Sequence, residues 1–180
     1  LIDLFEQMKN GSRKQRDAYT AINELRLIQQ LKNYQPVLCG TIPLGIDLDT
    51  SDLDIIMEVE DLNLFERTIH HLYRNKPAFY MKRTNIRGRE VVKANFWFNN
   101  FEFELFAQHQ PVHQQNAYLH MLIEYKLLQN DPTLKEKILQ LKKQGYTTEE
   151  AFCKRLNISG DPYEGLIRYG RKTKMITGTS

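Results

Sequence analysis

The sequence predicts an α/β fold of the α+β kind, with helices flanking a mixed sheet of about four or five strands and a helical C-terminal part. Three observations predict it. Ala18, Ile22, Leu25, Ile28 and Leu31 recur at helical spacing near the start. The middle holds runs that alternate apolar and polar residues, as half-buried strands do. From Gln114 onward the apolar spacing is helical again.

The elements follow in order. Asp3 to Met8 reads as a short turn or two, broken by Asn10-Gly11. Ser12 is placed to cap a helix reaching about Leu31. Val37-Leu38-Cys39, ending at Gly40, reads as a buried strand, and the loop GTIPLGIDLDTS follows. Asp52 to Val59 alternates as a strand. Asp61 to Asn75 reads as a helix with Leu64, Ile69 and Leu72 among its apolar positions, closed by Lys76-Pro77. Phe79 to Ile86, Glu90 to Phe98 and Phe101 to Phe106 read as strands, joined by turns at Arg87-Gly88-Arg89 and Asn99-Asn100. A long helix to about Gln129 comes next, then one through about Lys143 after Asn130-Asp131-Pro132. Shorter helices are expected near Thr148 to Leu156 and Pro162 to Tyr169, with a frayed tail from Arg171. A core over residues 1–112 with a helical region over 113–180 packed on it, or one domain throughout, fits this order.

Bulk properties narrow the function. With 25 basic and 22 acidic residues the formal charge is +3, which permits an anionic ligand without the dense basic patch of a strong nucleic-acid binder. The two cysteines, Cys39 and Cys153, are far apart, so neither a disulfide framework nor a zinc ribbon is expected, and a cytoplasmic location is the natural reading. No apolar run approaches the roughly 20 residues needed to span a bilayer, so no membrane partner is expected. The charged, amphipathic first residues are unlike a secretion signal.

The informative stretch is VLCGTIPLGIDLDTSDLDIIMEV. Alternation along a strand puts Asp52 and Asp54 on one face, with Glu58 further along the same row, and Leu53, Ile55, Met57 and Val59 on the other. Two carboxylates so spaced lie roughly 7 Å apart by Cα, close enough to share a hard cation. Solvated aspartates opening a strand would look the same. Upstream, Gly40 permits close backbone approach to a phosphate, and the Thr41 hydroxyl adds a donor; equally, Gly40 can simply turn the chain.

These residues resemble the polymerase-beta-like nucleotidyltransferase superfamily. Its members carry an apolar residue, Gly-Gly or Gly-Ser, a linker, and then an acidic-x-acidic strand; here Gly40-Thr41 and Asp52-Leu53-Asp54 match. Thr41 stands where many members have Ser or Gly. The segments GTIPLGIDLDTSDLDI, NFWFNNFEFELFAQ, QQNAYLHMLIEYKLL and GDPYEGL look like an uncharacterised bacterial family within that superfamily. The resemblance implies a nucleotidyltransferase-like sheet and magnesium (or manganese) held by Asp52, Asp54 and a third carboxylate on a later strand. Glu104 is the choice for that place, with Glu102 two residues earlier on the same face left open. It implies a nucleoside triphosphate as donor, its phosphates held by Gly40 and Thr41, and an acceptor that is a small molecule, a protein or an RNA end. His120 lies in a matching segment and is expected to line the cleft, with Glu124 one turn on.

Other features carry less. His109 and His113 flank Pro111 without a third zinc ligand, and His70 and His71 face different sides of their helix. Lys82, Arg83, Arg87, Arg89 and Lys93 gather around one hairpin, where they would hold a triphosphate or nucleic acid, or stand solvated. Two further function classes therefore stand beside the enzyme: an idle nucleotidyltransferase-like binding module, and a nucleic-acid-binding domain using that hairpin.

Overall fold

A computed structural model describes residues 4–177. It opens with α1, a single turn over Phe5–Met8, and then α2 over Arg13–Glu24. Asp3, where the first turn was expected to start, and residues 178–180 of the tail lie outside the described residues. Ser12 caps α2 as predicted, its hydroxyl accepting from the Gln15 N–H while the Gln15 side chain accepts from the Ser12 N–H. The helix stops short of Leu31. Arg26 adopts a left-handed conformation with φ 54°, and α3 restarts over Leu27–Gln30, followed by a 3₁₀ turn at Lys32–Tyr34. A left-handed residue costs about 1–2 kcal/mol. The break turns Leu27 and Leu31 wholly inward, each stabilising by about 1.5–3 kcal/mol, while Ile28 is left half-buried.

Five strands form one mixed sheet: β1 over Val37–Cys39, β2 over Leu53–Glu58, β3 over Tyr80–Ile86, β4 over Arg89–Phe98 and β5 over Phe101–Gln108. Their spatial order is β1-β2-β5-β4-β3, with β2 and β5 parallel and the other neighbours antiparallel. The four-residue helix α4 over Thr41–Leu44 lies between β1 and β2, its carbonyls at Ile42 and Pro43 held by the Gln15 amide. Helix α5, Leu62–Tyr73, connects β2 to β3, with Asp61 capping its start through the Leu64 N–H. Its inward residues are Leu62, Phe65, Ile69 and Tyr73; Leu64 is 48% exposed, contrary to expectation, because it is off that stripe. Both hairpins use two-residue turns with positive φ at both positions, Arg87-Gly88 and Asn99-Asn100. Arg89 thus belongs to β4 rather than to the turn.

The C-terminal helices are α6 over Asn116–Asn130, α7 over Leu134–Lys143, α8 over Thr148–Leu156 and α9 over Pro162–Lys172. One sheet face carries Leu53, Ile55, Phe103 and Leu105, and packs against α2, α3 and α5. On the opposite face Cys39 and Ile56 meet Tyr118 and Met121 of α6. A third cluster joins α6 to α9, and Ile46 from the loop before β2 is buried in it. Lys142 is tied to that loop by donating to the Ile46 carbonyl at 2.7 Å. Among the described residues no helix is long and apolar enough to cross a membrane.

Candidate functional site

Parallel pairing of β2 with β5 sets Asp54 directly beside Glu104, across the roughly 4.8 Å that separates neighbouring strands. Asp52 and Glu102 lie two residues back on the same face, which is the face toward α6. The sequence-predicted carboxylates therefore come together on one surface. Glu104 is the one level with Asp54, whereas Glu102 accepts from the Asn95 amide at 3.1 Å.

Their charges are poorly compensated. Burial, then the negative charges of Asp52 and Glu104, push the Asp54 carboxyl up to about 7. Asp52 is also raised, by burial and by the glutamates, against the pull of its own backbone hydrogen bond. Among the described residues the close counter-charge is the Lys93 ammonium, 2.8 Å from Glu104 Oε2.

Gly40 stands against this group. Its φ is +81°, and a Cβ built there would lie 2.2 Å from Asp54 Oδ2. Glycine is therefore required by the carboxylate as well as by the backbone. The Thr41 hydroxyl is not a free donor: it donates to Ser51 Oγ at 3.2 Å, and Ser51 Oγ also accepts from the Leu48 N–H. The hydroxyl expected to add a donor toward a phosphate thus bonds Ser51, which pins the loop before β2 to α4.

Asp54 divides two cavities, each about 240 Å³. One is lined by Gly40, Thr41, His120, Glu124 and Glu149. His120 is 6% exposed, its Nε2 lies 3.0 Å from the Tyr163 carbonyl, and its Nδ1 lies 3.3 Å from Glu149. Burial pulls its pKa down, but the bond and charge of Glu149 outweigh it and leave the imidazole raised. Glu149 is in turn lowered: burial opposes this, and the His120 bond prevails. Glu124, fully buried, is pushed up to about 8 by burial and then by Glu149. The sequence singled out His120 and Glu124 but not Glu149. Nothing local marks Glu149 beyond its place in the first turn of α8, and only the packing of α8 brings it to His120.

The second cavity is lined by Glu104, Ile56 and Phe106 from the sheet, Arg87 and Arg89 from the hairpin, and the start of α6. The basic hairpin is thus divided. Arg83 faces the helical side and makes a two-pronged bond to Glu66 of α5, while Lys93 is paired with Glu104. His109, His113, His70 and His71 are exposed, apart from the carboxylates.

Among the described residues no three His, Cys, Asp or Glu side chains already form a metal-holding group. The donors nevertheless fit a hard cation. They are carboxylate oxygens on adjacent strands, burial and then their mutual repulsion raise two of their pKa values, and a lysine ammonium lies against one of them as a counter-charge.

The family described as "Domain of unknown function (DUF4269)" matches residues 20–169. No curated protein matches significantly. Among solved structures, the Cid1 poly(U) polymerase with MgGTP bound is similar at TM-score 0.55 and 16% identity, over 77% of this chain and 45% of that one. The GLD-2/RNP-8 complex matches at TM-score 0.53 and 11% identity, over 98% of this chain and 68% of that one. The polymerase core of TRAMP, described as an RNA surveillance complex, matches at 0.53 and 13%, over 96% and 58%. The chain spans about half the length of the Cid1 structure. At these identities the likeness shows the fold: a nucleotidyltransferase-like mixed sheet flanked by helices.

Proposed function

The chain belongs to the DUF4269 family, and on that premise we propose that it is a metal-dependent nucleotidyltransferase, moving a nucleoside monophosphate from a nucleoside triphosphate to a hydroxylated acceptor. The observation that carries this reading is the side-by-side register of Asp54 and Glu104, with Asp52 on the same face and too little positive charge to balance them. An acidic group of this kind costs stability unless a cation meets it.

Asp52, Asp54 and Glu104 would hold magnesium or manganese. When bound, the cation supplies charge neutralisation for the triphosphate and lowers the pKa of an acceptor hydroxyl. The other parts belong to the chain. Gly40 leaves room for a phosphate beside Asp54, and Thr41 with Ser51 keeps the approach loop closed. A carboxylate of the group takes the proton of the acceptor hydroxyl as it attacks the α-phosphorus and pyrophosphate leaves in line. His120, held from both ring nitrogens, lines the cavity beside Gly40 and Thr41 and orients what enters it. A core over residues 1–112 with the helices of 113–180 closing the cleft is part of the same proposal.

The test is pyrophosphate release from a panel of nucleoside triphosphates with magnesium or manganese, using cell extract as acceptor source. Release that disappears in Asp52→Asn and Asp54→Asn supports the reading. Failure of either ion to bind, with and without nucleotide, counts against it. A second reading, an idle binding module, has one observation in its favour: Lys93 already sits on Glu104. Nucleotide binding that is indifferent to metal would select it.

A further inference from the structure

We propose that the acceptor is a small phosphorylated sugar, seated in the cavity between the β3–β4 hairpin tip and the start of α6; this rests on the nucleotidyl-transfer reading above. The cavity measures about 240 Å³, with Asp54 and Glu104 among its walls and Arg87 and Arg89 on the hairpin side. That volume is below the roughly 300–1,000 Å³ of common ligand pockets, so it suits a compact molecule rather than a polymer end.

The two arginines are uncommitted. Among the described residues neither is in an ion pair, although Arg83 and Lys93 nearby both are. A pair of guanidinium groups at a cavity edge fits a phosphate, which accepts from several N–H groups at once. Arg89 sits six positions along β4 from Asn95, the residue level with Glu104, or about 20 Å at strand rise. Side chains reaching in from both ends shorten this to the length of one small molecule.

Between the ends, amide side chains line the wall beside the apolar Ile56, Ile86 and Phe106. Gln108 and Gln110 face the cavity beside Gln115. Gln115 is 1% exposed; its nitrogen donates to the Met57 carbonyl at 3.0 Å and the Gln110 carbonyl at 2.9 Å. Its Oε1 is buried and, among the described residues, has no partner. An orphaned buried acceptor destabilises the fold, and a hydroxyl donated by a ligand would satisfy it. Hydroxyls in the middle, an anion at one end and carboxylates at the other describe a phosphorylated sugar. Its free hydroxyl oxygen forms the new bond to the α-phosphorus of the triphosphate, the bond from that phosphorus to the β-bridging oxygen breaks, the hydroxyl proton passes to a carboxylate, and pyrophosphate leaves.

The experiment is titration calorimetry on the full chain with ribose 5-phosphate, ribose, inorganic phosphate and magnesium UTP, ATP, GTP and CTP. The variant is Arg87→Asn/Arg89→Gln, since asparagine tolerates the positive φ at position 87. Its melting temperature is checked first, and single Arg89→Gln substitutes if the double variant is unstable. Ribose 5-phosphate should bind at least tenfold tighter than ribose or phosphate, and the variant should lose at least tenfold for it while keeping the parent's affinity for ribose and for magnesium UTP. No binding of ribose 5-phosphate overturns the proposal. So does an equal loss for magnesium UTP, which would give the arginines to the donor triphosphate. If ribose 5-phosphate binds through the arginines but none of magnesium UTP, ATP, GTP and CTP binds, the sugar-phosphate site stands and the transferase reading fails.

Discussion

Asp54 is held in the folded state with a pKa near 7, against an ordinary value of 3.8. A raised carboxyl pKa means that the folded state binds the proton more tightly than the unfolded one. Its stabilising contribution is therefore full below about pH 4 and is lost as pH rises toward 7. Asp54→Asn removes that dependence. In excess chelator at pH 8 the variant is expected to exceed the parent in stability by on the order of 1–3 kcal/mol, with no gain at pH 4. Chemical denaturation at both pH values measures it. A variant less stable than the parent at pH 8 would mean that Asp54 is a structural carboxylate and that the metal-ligand assignment is wrong. Gly40 shows the same constraint from the other side, since its lack of a Cβ is what admits the Asp54 carboxylate.

At the scale of elements, α8 and α6 share an apolar cluster and the polar contact of Glu149 with His120. His120 is raised by that partner against burial, so its share of the stabilisation is present below the ordinary histidine range and is lost as pH rises through the folded value. Glu149 is lowered, so its share is present above the ordinary carboxylate value and is lost as pH falls through the folded one. Glu149→Gln should leave burial opposed only by the Tyr163 carbonyl and the Glu124 charge, and so drop the His120 titration below that of the parent, read from its ring protons by NMR. A titration that does not move would detach the two helices' chemistry. The β4–β5 hairpin offers a simpler check. Asn100 holds φ 65° in a turn that prefers Asn-Gly, and Asn99 bonds Glu24. Asn100→Gly is expected to stabilise by about 0.5 kcal/mol, or to raise the melting temperature by about 1–2 °C, in a calorimetric scan.

Across the whole molecule, the carboxylates lie on a sheet face whose cover comes largely from the returning chain, with Leu4 and Leu44 beside it. Cys39 and Ile56 are buried by Tyr118 and Met121, which come after the last strand. A fragment of residues 1–112 is therefore expected to expose this face, bind a hydrophobic dye and lose its cooperative melting transition. A fragment that melts sharply would show that the sheet and α2, α3 and α5 suffice.

The sequence by itself determined the kinds and order of the elements. Period-2 alternation in Leu53–Glu58 and Phe101–Gln108 and helical spacing in Asn116–Asn130 are local properties of neighbouring residues. It also sorted Asp52 and Asp54 from Leu53 and Ile55, because alternate residues must face apart. It did not show the stop at Arg26, where left-handed strain is offset by burial of leucines against distant strands. Nor did it show that Arg83 leaves the basic group for Glu66, or that the Thr41 hydroxyl donates a hydrogen bond to Ser51. The pairing of Asp54 with Glu104, the counter-charge from Lys93, the Glu149–His120 contact and both cavities join residues far apart in the chain. Strand order and helix packing decide such distances. Alternation assigns a residue to a face of its own strand, whereas the neighbour across that face is chosen by burial summed over the whole chain.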